Sequence, residues 1–161
     1  MHIADYLTVA DITLDAGCKN KRHLLETLAA QAAERTGIPE QDILTALQSR
    51  EKLGSTALGK GVALPHAEVA GITRPAMLFS RLRQPIDFDA PDGEPVDIVF
   101  VMLWPAEDTN GLLDSMAEIC RTLRDPQLLR QLHLSKGPDE VIRLLQDHSG
   151  NPGPQDPDAS P

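Results

Sequence analysis

The residues best suited to chemistry lie between positions 50 and 66. Arg50 opens the segment, Ser55 and Thr56 supply adjacent hydroxyls, Gly54, Gly59 and Gly61 loosen the backbone, and the apolar run Val62-Ala63-Leu64 ends in Pro65-His66. A neutral imidazole, with an ordinary pKa near 6.5, is a good nucleophile toward phosphorus at neutral pH. The phosphoramidate it would form needs hydrogen-bond donors for its oxygens and little else. Arg50 has the forked guanidinium that matches such oxygens, the two hydroxyls add donors, and the glycines let backbone N–H groups turn inward. Pro65 fixes the backbone leading into the histidine. The pattern alone leaves two readings open: a turn histidine with one satisfied hydrogen bond, and a covalent phosphoryl carrier with His66 open to solvent at the rim of a donor-lined pocket.

Competing readings of the same residues fare worse. Gly54 to Gly61 fits the first part of a nucleotide-binding P-loop, but Gly61 stands where a magnesium-binding Ser or Thr is required. The segment also follows a helical pattern and precedes an apolar run, the reverse of a P-loop. A Ser-His-acid hydrolase drawn from Ser55, His66 and one of Asp87, Asp89 or Asp97 lacks the G-x-S-x-G elbow. His2, His23, His133 and His148 pair with no Cys, Asp or Glu at metal-ligand spacing, so no metal or other cofactor is expected. Trp104-Pro105 reads as the end of a core strand rather than a binding anchor.

These residues need a scaffold, and the hydrophobic pattern supplies one. Asp11-Ile12-Thr13-Leu14-Asp15 alternates as a short strand. Asn20 can cap a helix carrying Leu24, Leu25, Leu28, Ala29 and Ala32, which Gly37 ends. A second helix starts near Pro39, buries Ile43, Leu44 and Leu47, and runs to about Arg50 or Glu51. Strands are expected at 62–64, at 76–82 and at 96–104, the last nearly all apolar and so central. Residues 85–94 read as turns. Helices follow from about Thr109 or Asn110, from Pro126 to His133 and from Pro138 to Leu145. The order implies an α/β fold of α+β type: a single domain with a mixed parallel and antiparallel sheet of about five strands, flanked by helices.

The chain has 161 residues, with 15 Lys and Arg against 24 Asp and Glu. That acidity argues against nucleic acid as a partner. No apolar run reaches membrane-spanning length, and the start has no secretory pattern, so a cytoplasmic protein with no membrane insertion and two reduced thiols, Cys18 and Cys120, is expected. The folded domain is expected over residues 1–147. Residues 148–161, rich in Pro, Gly and Asp, read as a disordered tail.

The run Arg50-Glu51-Lys52-Leu53-Gly54-Ser55-Thr56-Ala57-Leu58-Gly59-Lys60-Gly61-Val62-Ala63-Leu64-Pro65-His66 resembles the active-site signature of the fructose/mannitol-type enzyme IIA family of the bacterial phosphotransferase system, which includes the nitrogen-regulatory IIA proteins. The likeness continues through Pro85-Ile86-Asp87-Phe88, Pro95-Val96-Asp97 and Trp104-Pro105-Ala106. It implies phosphorylation of His66, with Arg50 as the active-site arginine and Ser55 and Thr56 near the phosphate. It implies a phosphorylated carrier of the HPr type as donor. The acceptor would be a IIB domain in the sugar branch, or a regulated transporter or sensor kinase in the nitrogen branch. One departure stands out. The family commonly places a second histidine where this chain has Leu112; Asn110 or Asp114 lies within a helical turn of it, and Asn110 is the better substitute, because a carboxylate would repel a phosphoryl group. The alternatives left open are a degenerate IIA-like module that only binds partners, and a component of sugar uptake.

Overall fold

The structure, a computed structural model, describes residues 3–150. Two short 3-10 turns, Ile3–Tyr6 and Val9–Asp11, lead into β1 (Ile12–Ala16), α1 (Lys21–Thr36) and α2 (Glu40–Lys52). Then come β2 (Ala57–Gly59), β3 (Val62–Ala63), β4 (His66–Val69), β5 (Ala76–Ile86) and β6 (Val96–Pro105). The chain closes with α3 (Thr109–Thr122), α4 (Pro126–Leu134) and α5 (Pro138–Gly150).

The apolar run of β6 is the template for the sheet. It pairs antiparallel with β5 on one side and parallel with β3 and then β4 on the other. Outward from there, β1 adds parallel to β5 and β2 adds antiparallel to β3. Period-2 alternation divides the β6 side chains between two cores. Val99, Val101 and Leu103 meet Leu24, Leu28, Ile43 and Leu47 from α1 and α2. Ile98, Phe100, Met102 and Trp104 meet Leu112, Ile119, Leu132 and Val141 from α3, α4 and α5. Both faces are thus covered, which is why β6 lacks an alternating sequence.

The helices begin and end where their residues allow. Asn20 caps α1 by accepting from the His23 N–H at 2.8 Å, and Gly37 ends it at φ 77° in the left-handed region. The cap of α3 is Asp108, not Thr109 or Asn110: its carboxylate accepts from the Gly111 N–H at 3.1 Å and from Trp104 Nε1 at 3.1 Å. A methyl group on Gly111 would collide with that carboxylate.

The mixed sheet flanked by helices is as expected, and the structure adds detail at three places. The sheet has six strands, because β2 and β4 emerge from a segment that read as loop and turn. β5 continues to Ile86 through residues expected to turn; its pairing with β6 is irregular between Arg81 and Ile86, where Pro85 has no N–H to give a ladder. α5 carries on to Gly150, three residues into the expected tail. The rest of that tail lies outside the described residues.

Since Asp108 satisfies both a helix end and the buried indole, Asp108→Ala should lower unfolding stability by about 1–2 kcal/mol. Urea titration followed by the fluorescence of Trp104 measures this, and a loss smaller than about 0.3 kcal/mol would mean that the cap is dispensable.

Candidate active site

The segment that resembled a P-loop folds as a turn and a hairpin. After α2, residues 53–56 turn the chain, and β2 and β3 are joined by Lys60-Gly61, at φ 56° and 82°. Both central residues of this tight hairpin therefore adopt positive φ. The Asp92 carboxylate pins it by accepting from the Lys60 N–H at 2.8 Å. No helix follows, so nothing here can cradle a triphosphate as a P-loop does.

β3 and β4 lie one after the other along the same side of β6, and Leu64-Pro65 is the jog between them. Leu64 N–H donates to the Thr56 carbonyl at 3.0 Å, and Met102 N–H donates to the Pro65 carbonyl at 3.0 Å. Proline has no N–H that the jog would leave unpaired. The Leu64 carbonyl lies 2.8 Å from His66 Nδ1. On the other side of the ring, Arg50 Nε donates to His66 Nε2 at 3.2 Å, while Arg50 Nη1 donates to the Gly54 carbonyl at 2.9 Å.

These two contacts fix the protonation of the ring. A carbonyl only accepts, so Nδ1 carries the hydrogen; a guanidinium only donates, so Nε2 presents its lone pair. Burial pushes the His66 pKa below its ordinary value, the Leu64 carbonyl works against this, the Arg50 charge lowers it further, and Glu51 opposes Arg50. The ring is therefore neutral at neutral pH, with its lone pair on Nε2, where it accepts from Arg50.

His66 is less open than its place after a proline suggested. It is the first residue of β4 and only 8% exposed. The half-buried Arg50, from the last turn of α2, reaches it at the sheet's edge. In the β4–β6 register His66 lies beside Met102, so it shares the sheet face that α3 covers. Glu68, two residues on and on the same face, accepts from the Thr109 hydroxyl at 2.8 Å and ties β4 to the start of α3.

Arg50 and His66 are thus brought together. The Ser55 and Thr56 side chains are engaged with the protein itself. Ser55 Oγ donates to the Phe88 carbonyl at 2.6 Å and accepts from Ala57 N–H at 3.1 Å. The Thr56 hydroxyl donates to the Glu51 carboxylate, which also accepts from Thr56 N–H at 3.2 Å. Both hydroxyls hold the turn in shape. Leu112 is buried among Met102, Trp104 and Ile119 in the first turn of α3, and Asn110 is exposed on that turn.

Sequence reasoning missed Glu51 and Lys21. Lys21 Nζ lies 2.9 Å from Glu51 Oε2, 3.6 Å from Asp89 and 4.4 Å from the centre of the Phe88 ring. A signal existed: Lys21 begins a helix and Glu51 sits in the last turn of one, so each charge is at the end its helix dipole disfavours. A charge so placed needs a partner.

The other histidines lie elsewhere. His133 Nε2 meets Asp97 Oδ1 at 2.9 Å, His23 Nδ1 accepts from Lys19 N–H at 3.1 Å, and His148 lies 3.7 Å from Asp125. His2 lies outside the described residues. With Asp97 on His133, Ser55 on Phe88 and a carbonyl on Nδ1 of His66, no hydrolase triad is assembled. Among the described residues no group of three His, Cys, Asp or Glu side chains could hold a metal ion, and no helix is long and apolar enough to cross a membrane. Cys18 and Cys120 are free, and burial raises the pKa of both thiols.

Comparison with known proteins bears on this site. The chain is 39% identical over 145 residues to the nitrogen regulatory protein of Bradyrhizobium diazoefficiens, covering 90% of this chain and 95% of that one. The crystal structure of the nitrogen regulatory protein IIA-Ntr from Neisseria meningitidis superposes with a TM-score of 0.86 at 33% identity, over 89% of this chain and 98% of that one. Enzyme IIA of the mannitol system of Escherichia coli, solved in complex with phosphorylated enzyme IIB, shares the fold with a TM-score of 0.72 at 18% identity, over 88% of this chain and 97% of that one. Residues 5–148 match the family described as the phosphoenolpyruvate-dependent sugar phosphotransferase system, EIIA 2. The chain, with Arg50 and His66 meeting at the edge of a mixed sheet, belongs to the EIIA type 2 family of the phosphotransferase system.

Proposed function

We propose that this protein carries a phosphoryl group on Nε2 of His66 and acts as a cytoplasmic regulator of the nitrogen-regulatory type. The observation that carries the reading is the pair of hydrogen bonds on the imidazole, which leaves one lone pair, on Nε2, beside a guanidinium.

The chemistry follows from that geometry. The donor is a small protein of the HPr type phosphorylated on histidine. Its P–N bond breaks as the His66 Nε2–P bond forms, and the bonding electrons return to the donor's ring. Nδ1 keeps its hydrogen on the Leu64 carbonyl throughout. Arg50 Nε occupies the Nε2 lone pair in the resting protein, so the guanidinium must shift aside as phosphorus approaches. It then meets the phosphoryl oxygens as a charge-assisted donor. The group adds nearly two negative charges at one edge of the sheet, which changes the protein faces that can dock there. A transporter or sensor kinase is the expected target. Names support the regulatory branch: the 39% identical relative and the 33% identical structure are both nitrogen regulatory proteins. Transfer onward to a IIB domain, as in sugar uptake, is the other outcome that the family allows.

A second reading, a module that binds partners without carrying phosphate, draws support from Leu112, whose buried side chain can donate nothing to a phosphoryl oxygen.

Incubation with a phosphorylated HPr-type carrier should give acid-labile, base-stable label on the wild type and none on His66→Ala, while His133→Ala labels normally. An unlabelled wild type, or label that persists in His66→Ala, would refute the carrier reading. Leu112→His should raise the labelling rate; label that appears only in that variant favours the binding-only reading. The variant should be less stable by roughly 1–3 kcal/mol, from a polar ring in an apolar site.

The depressed His66 pKa gives a pH signature. Below about pH 6.5 the unfolded chain takes up a proton on this residue that the folded chain resists, so folding stability falls as pH drops through that range. Replacing His66 by Gln should reduce that acid-side loss, as compared by urea midpoints across the pH range; an unchanged pH slope would contradict the burial effect.

A further inference from the structure

We propose that Lys21 and Glu51 are positioning residues for His66: a charge-compensated brace, from the start of α1 to the end of α2, that fixes where the Arg50 guanidinium meets the imidazole. This rests on the proposed phosphoryl-carrier role.

Arg50 and Glu51 are successive residues on the last turn of α2, and both hold the turn that follows. Arg50 grips it at the Gly54 carbonyl, and Glu51 grips it at the N–H and hydroxyl of Thr56. Thr56 in turn receives Leu64 N–H on its carbonyl. The Leu64 carbonyl then orients the imidazole. A continuous chain of contacts thus runs from Lys21 through Glu51, Thr56 and Leu64 to Nδ1, and a second runs through Arg50 to Nε2. Lys21 anchors the far end, seated on the Phe88 ring, while Ser55 holds the Phe88 carbonyl.

The electrostatics call for the same pairing. Glu51 is a buried carboxylate near the site, its side chain 6% exposed. An incoming phosphoryl dianion would be repelled by it at low local dielectric unless its charge were compensated. Lys21, 20% exposed and 2.9 Å away, supplies the compensation. The charges that act on His66 are Arg50 and Glu51, both from α2; Glu68, two residues on along β4, is held by Thr109. Asp89, exposed and 3.6 Å from Lys21, is not among the charges that act on His66. Of these, the Lys21–Glu51 pair is the one that can trade compensated for bare negative charge beside the imidazole.

A brace predicts a coupled change at His66 that a merely structural ion pair would not give. The measurement is NMR titration of the His66 ring in the full chain, unphosphorylated, with Trp104 fluorescence to verify folding. Lys21→Met should move the His66 midpoint up, by uncovering the carboxylate. Glu51→Gln should move it down, and the double variant should return close to wild type. The rate of phosphoryl acceptance should fall roughly tenfold or more in Lys21→Met, as expected for a displaced guanidinium, and be largely rescued in Lys21→Arg. Midpoints unmoved in both single variants, or no rescue by Lys21→Arg, would overturn the brace. Should the wild type accept no phosphoryl group, the carrier role falls, and the titrations alone still decide whether Lys21 and Glu51 control the ring.

Discussion

The imidazole of His66 is held between a group that can only accept a hydrogen bond and a group that can only donate one. That constraint gives the ring a single tautomer, with its one lone pair on Nε2, and much of the local architecture maintains it. The Leu64 carbonyl is available because the chain jogs between β3 and β4 at a proline, where no N–H is left unpaired. Arg50 is available because α2 ends beside the sheet edge and is followed at once by a turn whose carbonyl takes the other arm of the guanidinium. Remove either neighbour, and the ring is free to rotate or to change tautomer.

Why such a ring stays neutral is a question of competing magnitudes. Burial disfavours the imidazolium, and so does the Arg50 charge; the Leu64 carbonyl and Glu51 favour it. Burial is the largest of these effects, so the neutral form prevails. The same burial would oppose a phosphoryl dianion. For the proposed phosphoryl group the compensation is Arg50, whose charge is permanent, and β4 lies at the edge of the sheet. A phosphoryl acceptor in the middle of this sheet, at the level of Phe100, would have neither.

Much of the scaffold was legible in the sequence because it follows from long-range periodicity. The β6 run, the caps at Asn20 and Gly37, and the five helices each rest on several residues pointing the same way. The strands β2 and β4 were not legible, since three or four residues carry too little pattern and their existence depends on pairing with β3 and β6. His66 was identified by its neighbours, but its burial was not, because the edge of a sheet and an open turn look alike after a proline. The family resemblance suggested phosphate-facing roles for Ser55 and Thr56; their hydroxyls face Phe88 and Glu51. Glu51 and Lys21 drew no functional reading from the sequence, although each stands at the unfavourable end of its helix. The structure removes that puzzle by placing them 2.9 Å apart.

The most direct test of the central claim is the protonation pattern of one ring. Long-range proton–nitrogen correlation spectra of the protein labelled with 15N-histidine, recorded at neutral pH, distinguish a protonated Nδ1 from a protonated Nε2. The expected result for His66 is hydrogen on Nδ1 and a bare Nε2, with Nε2 the atom that gains phosphorus on phosphorylation. A ring protonated on Nε2 in the resting protein, or phosphorus attached to Nδ1, would contradict the account.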